Sequence, residues 1–266
     1  MKELAILFWF YKKPLICKNH LLLLKRNNPG LRIYGLYGGD LKKVDRYKKI
    51  LGEYLDDFYA SPFKNSKWKW INGDLILLDW FRKRGKNLSW ESLAVVQWDM
   101  LVFGKLAKIF RDAKRNQLYF SAFRSLDKDL ENCWMWTKPG SIHRKNYLNF
   151  RKHIKKIYGY DKKILCCLFI FQIFTRSFFE KYSLVKKKYI GMLEYKIPTY
   201  AKIFKIPIFQ KDTGARWFTK KLSKTPSPLN ADSNEVSKTF IKSELRKKNG
   251  FRMFHPFNKI WNDSQK

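Results

Sequence analysis

Ser92-Leu-Ala-Val-Val-Gln97-Trp98-Asp99-Met-Leu-Val-Phe103 decides the fold of this chain. The aliphatic run before Gln97 reads as a buried strand. It breaks once, at Gln97-Trp98-Asp99, and then resumes. A carboxylate in such a setting costs free energy unless something pairs with it. At the carboxyl end of a buried parallel strand, that partner is often a ligand or a metal ion. The bland alternative is an Asp that caps a turn or pairs with a lysine.

Upstream of this run, strand and helix signals alternate. Residues 4–10 read as a buried strand. Pro14 suits a first helical turn, and the helix through residues 21–24 stops at Asn27-Asn28-Pro29-Gly30. Residues 31–37 form a second strand and end at Gly38-Gly39-Asp40. A third strand is expected over 53–59, carrying Asp56 and Asp57. A mostly buried helix over 73–84 ends at Gly85, and the strand over 91–97 follows. This order predicts an α/β fold with a Rossmann-like, mostly parallel central sheet flanked by helices.

The second half is less regular. A tryptophan-bearing loop over 132–141 precedes a basic amphipathic helix over 144–158. A buried strand is expected over 164–171, a short helix over 198–204 and a strand over 206–209. A loop over 225–234, a helix over 235–248 and the closing Phe254-His255-Pro256 complete the chain. With no internal repeat, residues 1–266 read as one domain, with a ligand-binding half to residue 104 and a second half from 105.

At 45% hydrophobic and 17% aromatic, 266 residues can bury a large core. Cys17, Cys133, Cys166 and Cys167 show neither a CxxC pair nor zinc spacing, so a reducing, cytoplasmic setting is expected. The apolar stretches 4–11 and 164–174 are too short to span a bilayer. The net charge is +34, and only 14 of the 56 basic residues are Arg. Lysines spread along the chain fit a biased composition; an anionic partner is the other reading. Walker A, GxGxxG, HExxH and GxSxG patterns are absent.

The hydrophobic strand followed by Gln97-Trp98-Asp99 and a second hydrophobic stretch resembles the Asp-x-Asp segment of GT-A-type glycosyltransferases, the nucleotide-diphospho-sugar transferase superfamily. The strand ending at Tyr11 resembles the family's first strand, which borders the nucleobase. Asp56-Asp57 resembles the acidic pair near base and ribose. The stretch from Leu193 through Glu194 to Thr199 resembles the acceptor-side segment, and His255-Pro256 the C-terminal histidine that closes the metal site. The resemblance implies a GT-A-like fold and transfer of a sugar from a nucleotide-sugar donor to an acceptor hydroxyl. A glycan such as a growing polysaccharide, or a lipid-linked sugar, is the implied acceptor.

It also implies a divalent metal, Mn²⁺ or Mg²⁺, held by Asp99 and His255. Tyr11, Asp57, Asp74, Gln97, Trp98 and Asp99 are implied on the nucleotide-sugar. Glu194 is the expected general base for an inverting reaction, ahead of Asp57 and Asp74. The first acid of the motif is Gln97 here, which can hydrogen-bond a hydroxyl but brings no charge. Each residue also has an ordinary reading: Glu194 as a helix-start acid favoured by the dipole, His255 as a packed ring. Two rivals follow, a GT-A-like domain that binds without turnover and a basic nucleic-acid-binding protein; no nucleic-acid motif supports the second. Peripheral contact with an anionic membrane is a further expectation.

Overall fold

Buried apolar strands alternate with covering helices along the first half of the chain. In order they are β1 (Leu4–Phe10), α1 (Pro14–Asn27), β2 (Ile33–Tyr37), α2 (Val44–Leu51), β3 (Asp57–Ala60), α3 (Ser66–Ile71), α4 (Gly73–Lys83) and β4 (Ser92–Gln97). The second half adds β5 (Leu101–Val102), α5 (Leu106–Ile109), β6 (Leu118–Phe120), β7 (Arg124–Ser125), α6 (Lys128–Cys133) and α7 (Arg144–Tyr158). It continues with β8 (Leu165–Cys166), β9 (Gln172–Thr175), α8 (Arg176–Ser183), α9 (Leu193–Ile203), β10 (Ile208–Phe209), α10 (Lys238–Arg246) and β11 (Met253–Phe254). The structure, a computed structural model, describes residues 3–63, 66–217, 226–231 and 234–262. The expected loop over 225–234 therefore lies partly outside the described residues.

Seven strands form the main sheet, in the order β3-β2-β1-β4-β9-β6-β10. All run parallel except β9, which is antiparallel to both its neighbours. This is the Rossmann-like, mostly parallel α/β architecture that the order of strands and helices predicts. Every residue of β1 and β2 is buried, because helices cover both faces of the sheet. A smaller cluster of Leu23, Leu101, Val236, Ile241, Phe254, Phe257 and Trp261 packs the chain's last described segment against α1.

Four boundaries differ from the sequence reading. Residues 52–54 make a 3-10 turn, so the third strand begins only at Asp57. The apolar run 164–171 is not one strand. Cys167 N–H bonds the Glu194 carbonyl and Leu168 N–H the Ser121 carbonyl, both at 2.9 Å, which turns the backbone out of the ladder. The strand forms after that turn, and Gln172 lies buried inside it, its Nε2 donating to the Leu168 carbonyl at 3.0 Å. The short helix expected over 198–204 is the longer α9, with Pro198 inside it. Proline lacks an N–H, which frees the Glu194 carbonyl for Cys167. The last helix is shorter than 235–248 and is capped by the Ser237 hydroxyl, which accepts from Phe240 N–H at 3.2 Å.

Most of the tryptophans serve the core, while Trp70 is exposed. Trp134 packs edge-on against Tyr195 and Trp217, and Trp136 is buried. Trp68 and Trp70 lie on α3, where Trp70 meets Trp136 at 4.7 Å.

Candidate active site

Parallel strands deliver their carboxyl ends to one edge of the sheet. The β1–β4 register sets Trp9 opposite Gln97, and Trp98 N–H donates to the Trp9 carbonyl at 2.9 Å. Tyr11 and the Gln97-Trp98-Asp99 turn therefore emerge side by side, with the Tyr11 and Trp98 rings 5.9 Å apart. Burial, followed by the nearby Asp99 carboxylate, raises the Tyr11 hydroxyl above its ordinary value.

The turn leads into β5, which pairs antiparallel with β11: Met253 faces Val102 and Phe254 faces Leu101. Continuing that register brings His255 against the turn, and Phe257 N–H closes it on the Asp99 carbonyl at 2.7 Å. Asp99 Oδ1 and His255 Nε2 then face each other at 3.3 Å. No described group gives Oδ1 a well-formed hydrogen bond. Burial is the largest influence and would push the Asp99 carboxyl up, but a protonated His255 ring, the backbone N–H of Asp99 and His20 together outweigh it and the net shift is downward.

The other His255 nitrogen fixes the tautomer. Nδ1 stands 2.7 Å from the Asn230 carbonyl, an acceptor only, so Nδ1 carries the proton in the neutral ring. In that neutral form Nε2 presents a lone pair to the carboxylate oxygen, and when protonated it makes an ion pair with it. Two lone pairs at this separation call for a proton or a cation between them. A His with its remote nitrogen on a carbonyl, beside a carboxylate oxygen, is a donor pair suited to Mn²⁺ or Mg²⁺. Among the described residues no cluster of three or more His, Cys, Asp or Glu surrounds this point. Two protein donors with the balance supplied by phosphate oxygens and water is the usual way a magnesium-type ion is held on a diphosphate.

Glu194 and Gln97 meet at one backbone segment. Gln97 Nε2 donates to the carbonyls of Phe169 and Ile170, at 2.9 and 3.2 Å. Glu194 Oε1 accepts from Phe169 N–H at 2.7 Å, and burial raises its carboxyl to about 7. A carboxyl that titrates near neutrality is poised to exchange a proton there.

Asp74 reaches the same edge by another route. The first turn of α4 abuts the end of β1, where a Cβ on Gly73 would come within 2.8 Å of the Trp9 ring. The Asp74 carboxylate is buried, and its Oδ2 takes Lys196 Nζ at 2.8 Å and the Tyr182 hydroxyl. Oδ1 has no partner among the described residues. Burial lowers Lys196 against the pull of Asp74, and pushes Tyr182 well above its ordinary value.

Asp57 is not brought to this edge. It starts β3, at the amino end of the sheet, and is bound by the Arg84 guanidinium. Asp56 accepts from Ile33 N–H at 2.7 Å in the same region. Arg84→Gln should therefore lower stability by about 1 kcal/mol and leave nucleotide-induced thermal stabilisation unchanged. A lost nucleotide response would place Asp57 in the binding site after all.

Sequence reading missed His20, which is buried on α1. Its Nδ1 meets the Trp98 carbonyl at 2.8 Å and its Nε2 the Lys259 carbonyl at 2.9 Å. Beside it, Asn19 Nδ2 donates to the Trp261 carbonyl at 3.0 Å and Asn19 Oδ1 accepts from Trp261 N–H at 2.7 Å. One helix face thus holds both the Asp99 turn and the segment after His255. The available signal was spacing: Cys17, His20, Leu21 and Leu24 share the buried face of a helix.

No protein-family model matches the chain, and no curated protein matches it. Among solved structures it is similar to the apo form of the bifunctional glycosyltransferase WbbM, at 9% identity and a TM-score of 0.45, over 97% of this chain and 46% of that one. It is also similar to apo mouse xyloside xylosyltransferase 1, at 9% identity and a TM-score of 0.44, over 94% of this chain and 96% of that one. A cytidylyltransferase from Leptospira borgpetersenii is similar at 13% identity and a TM-score of 0.41, over 81% of this chain and 80% of that one. These are likenesses of overall architecture and do not bear on substrate.

Proposed function

We propose that the chain is a metal-assisted glycosyltransferase, moving a sugar from a nucleotide-diphosphate sugar to an acceptor hydroxyl. The observation that supports this reading is the Asp99–His255 pair: a buried carboxylate oxygen facing the imidazole Nε2 at 3.3 Å, at the carboxyl edge of a mostly parallel sheet. When bound, a divalent cation there neutralises charge on the diphosphate leaving group. Tyr11 and Trp98 form the wall beside it, toward the nucleotide. Asp74 stays buried beside this edge, against Lys196 and Tyr182.

In an inverting transfer, Glu194 takes the acceptor's proton. Oε1 stays on Phe169 N–H, which orients the carboxylate, and Oε2 receives the proton as the acceptor oxygen attacks the anomeric carbon and the nucleoside diphosphate departs. Such a base works deprotonated, so the rate should rise with pH through about 7 and level off above it. Glu194→Gln should lose this limb along with most of the turnover. The stability sign is separate. A carboxyl raised on folding favours the fold at low pH and weakens it as pH rises through the folded value, so the Gln variant should be the more thermally stable of the two above pH 7. A parental Glu194 chain without that alkaline weakening would remove the raised carboxyl.

The second reading is a domain that binds nucleotide-sugar without turnover. What favours it is Gln97, a neutral amide whose Nε2 donates to two backbone carbonyls. Incubation with a panel of nucleotide sugars and Mn²⁺, reading released nucleoside diphosphate with and without simple glycoside acceptors, separates the two. Turnover supports the transferase. Thermal stabilisation by nucleotide sugars without release supports the binding domain, and neither response contradicts both.

A further inference from the structure

We infer that α7 and the loop before α9 form a docking surface for an anionic phospholipid bilayer. This goes beyond the transfer reaction and does not depend on it. α7 carries six Arg and Lys residues and no acid. It buries Tyr147, Phe150 and Ile154, so its charged positions point outward. Arg144 is taken by Glu131 at 2.7 Å and Lys155 by Asp161 at 3.3 Å. Lys145, Arg151, Lys152 and Lys156 are exposed to solvent.

The loop packs alongside: Gly191 N–H donates to Asn146 Oδ1 at 3.0 Å, and His153 lies beside Lys186 and Lys187. Both lysines are exposed. The same two segments carry exposed apolar side chains: Leu184 is 81% exposed, Tyr189 65% and Ile157 54%. Exposed lysines together with an exposed leucine, isoleucine and tyrosine on neighbouring segments fit a lipid interface. The cations meet anionic headgroups and the apolar tips enter the acyl boundary. A nucleic acid would use the charge but would leave Leu184 and Ile157 without a role. The loop runs directly into α9, which carries Glu194 in its first turn.

Co-sedimentation with vesicles containing about 30% phosphatidylglycerol, at about 0.1 M salt, tests this surface. Three variants keep the total charge from giving a false answer. Lys186→Glu/Lys187→Glu removes local charge, and Leu184→Ser/Tyr189→Ser removes only apolar tips. Lys48→Glu/Lys49→Glu makes the same charge change on the exposed face of α2. The first should weaken vesicle binding at least about 10-fold and the second several-fold, while the α2 control stays within about twofold. Thermal melting should be unchanged in all three, because every site is exposed. Equal loss in the two charge variants would overturn the proposal in favour of diffuse attraction. An unaffected Leu184→Ser/Tyr189→Ser variant, with a duplex oligonucleotide displacing the vesicles, would overturn it in favour of nucleic acid.

Discussion

Asp74→Ala should destabilise the folded chain by about 3–5 kcal/mol, the largest stability loss expected of any single replacement here. Lys196 is fully buried on α9, and its ammonium has the Asp74 carboxylate and the Lys188 carbonyl, 2.7 Å away, as its partners. Without Asp74 a cation stays in the core with one neutral acceptor. Taking a charge out of water is costly, and the loss of one partner exposes that cost in full. The pair itself is no great source of stability. Asp74→Leu combined with Lys196→Met removes both charges at similar volume and should recover most of the loss, leaving a coupling well above the additive expectation. Urea melts of the two single variants and the double variant measure this directly. Purely additive losses would mean that the ion pair is not formed.

Asp99→Asn should lower turnover by about 100- to 1,000-fold, comparable to removing one preorganised electrostatic contact from a reacting centre. The amide keeps the shape but loses the charge, and it offers His255 Nε2 no anionic partner. The fold should tolerate the change, since Phe257 N–H bonds the Asp99 backbone carbonyl and not its side chain. Stability should still acquire a different pH dependence. A carboxyl lowered on folding favours the fold above its ordinary value and loses that contribution as pH falls through the folded value. The parent should therefore weaken more than the Asn variant as pH is taken below 4. Equal acid sensitivity in the two would argue against the lowered carboxyl.

The fold was legible where one physical constraint dominated. Buried parallel strands announce themselves as unbroken apolar runs, and β1, β2 and β4 fell where those runs stand. The pairing of Asp99 with His255 was expected only through the family resemblance, since a histidine before a proline is by itself most often a packed ring. Other features depend on partners far along the chain. The run 164–171 looks like a strand until Glu194 and Ser121 take its backbone groups. Pro198 looks like a helix start until Cys167 takes the carbonyl it frees. Asp57 looks available until the β2–β3 register sets it at the opposite edge beside Arg84. His20 gave almost no signal, since a lone histidine among leucines is an ordinary core residue until its two carbonyl partners are in view.

The most direct measurement of the central claim is Mn²⁺ binding followed by electron paramagnetic resonance, with and without a nucleoside diphosphate, in the parent and in Asp99→Asn and His255→Ala. The parent should take up about one Mn²⁺ per chain, much more tightly when the diphosphate is present. Both variants should lose that diphosphate-dependent uptake while retaining a cooperative melt. Uptake equal in parent and variants, or absent from the parent at every nucleotide tested, would contradict a metal–diphosphate site at Asp99 and His255.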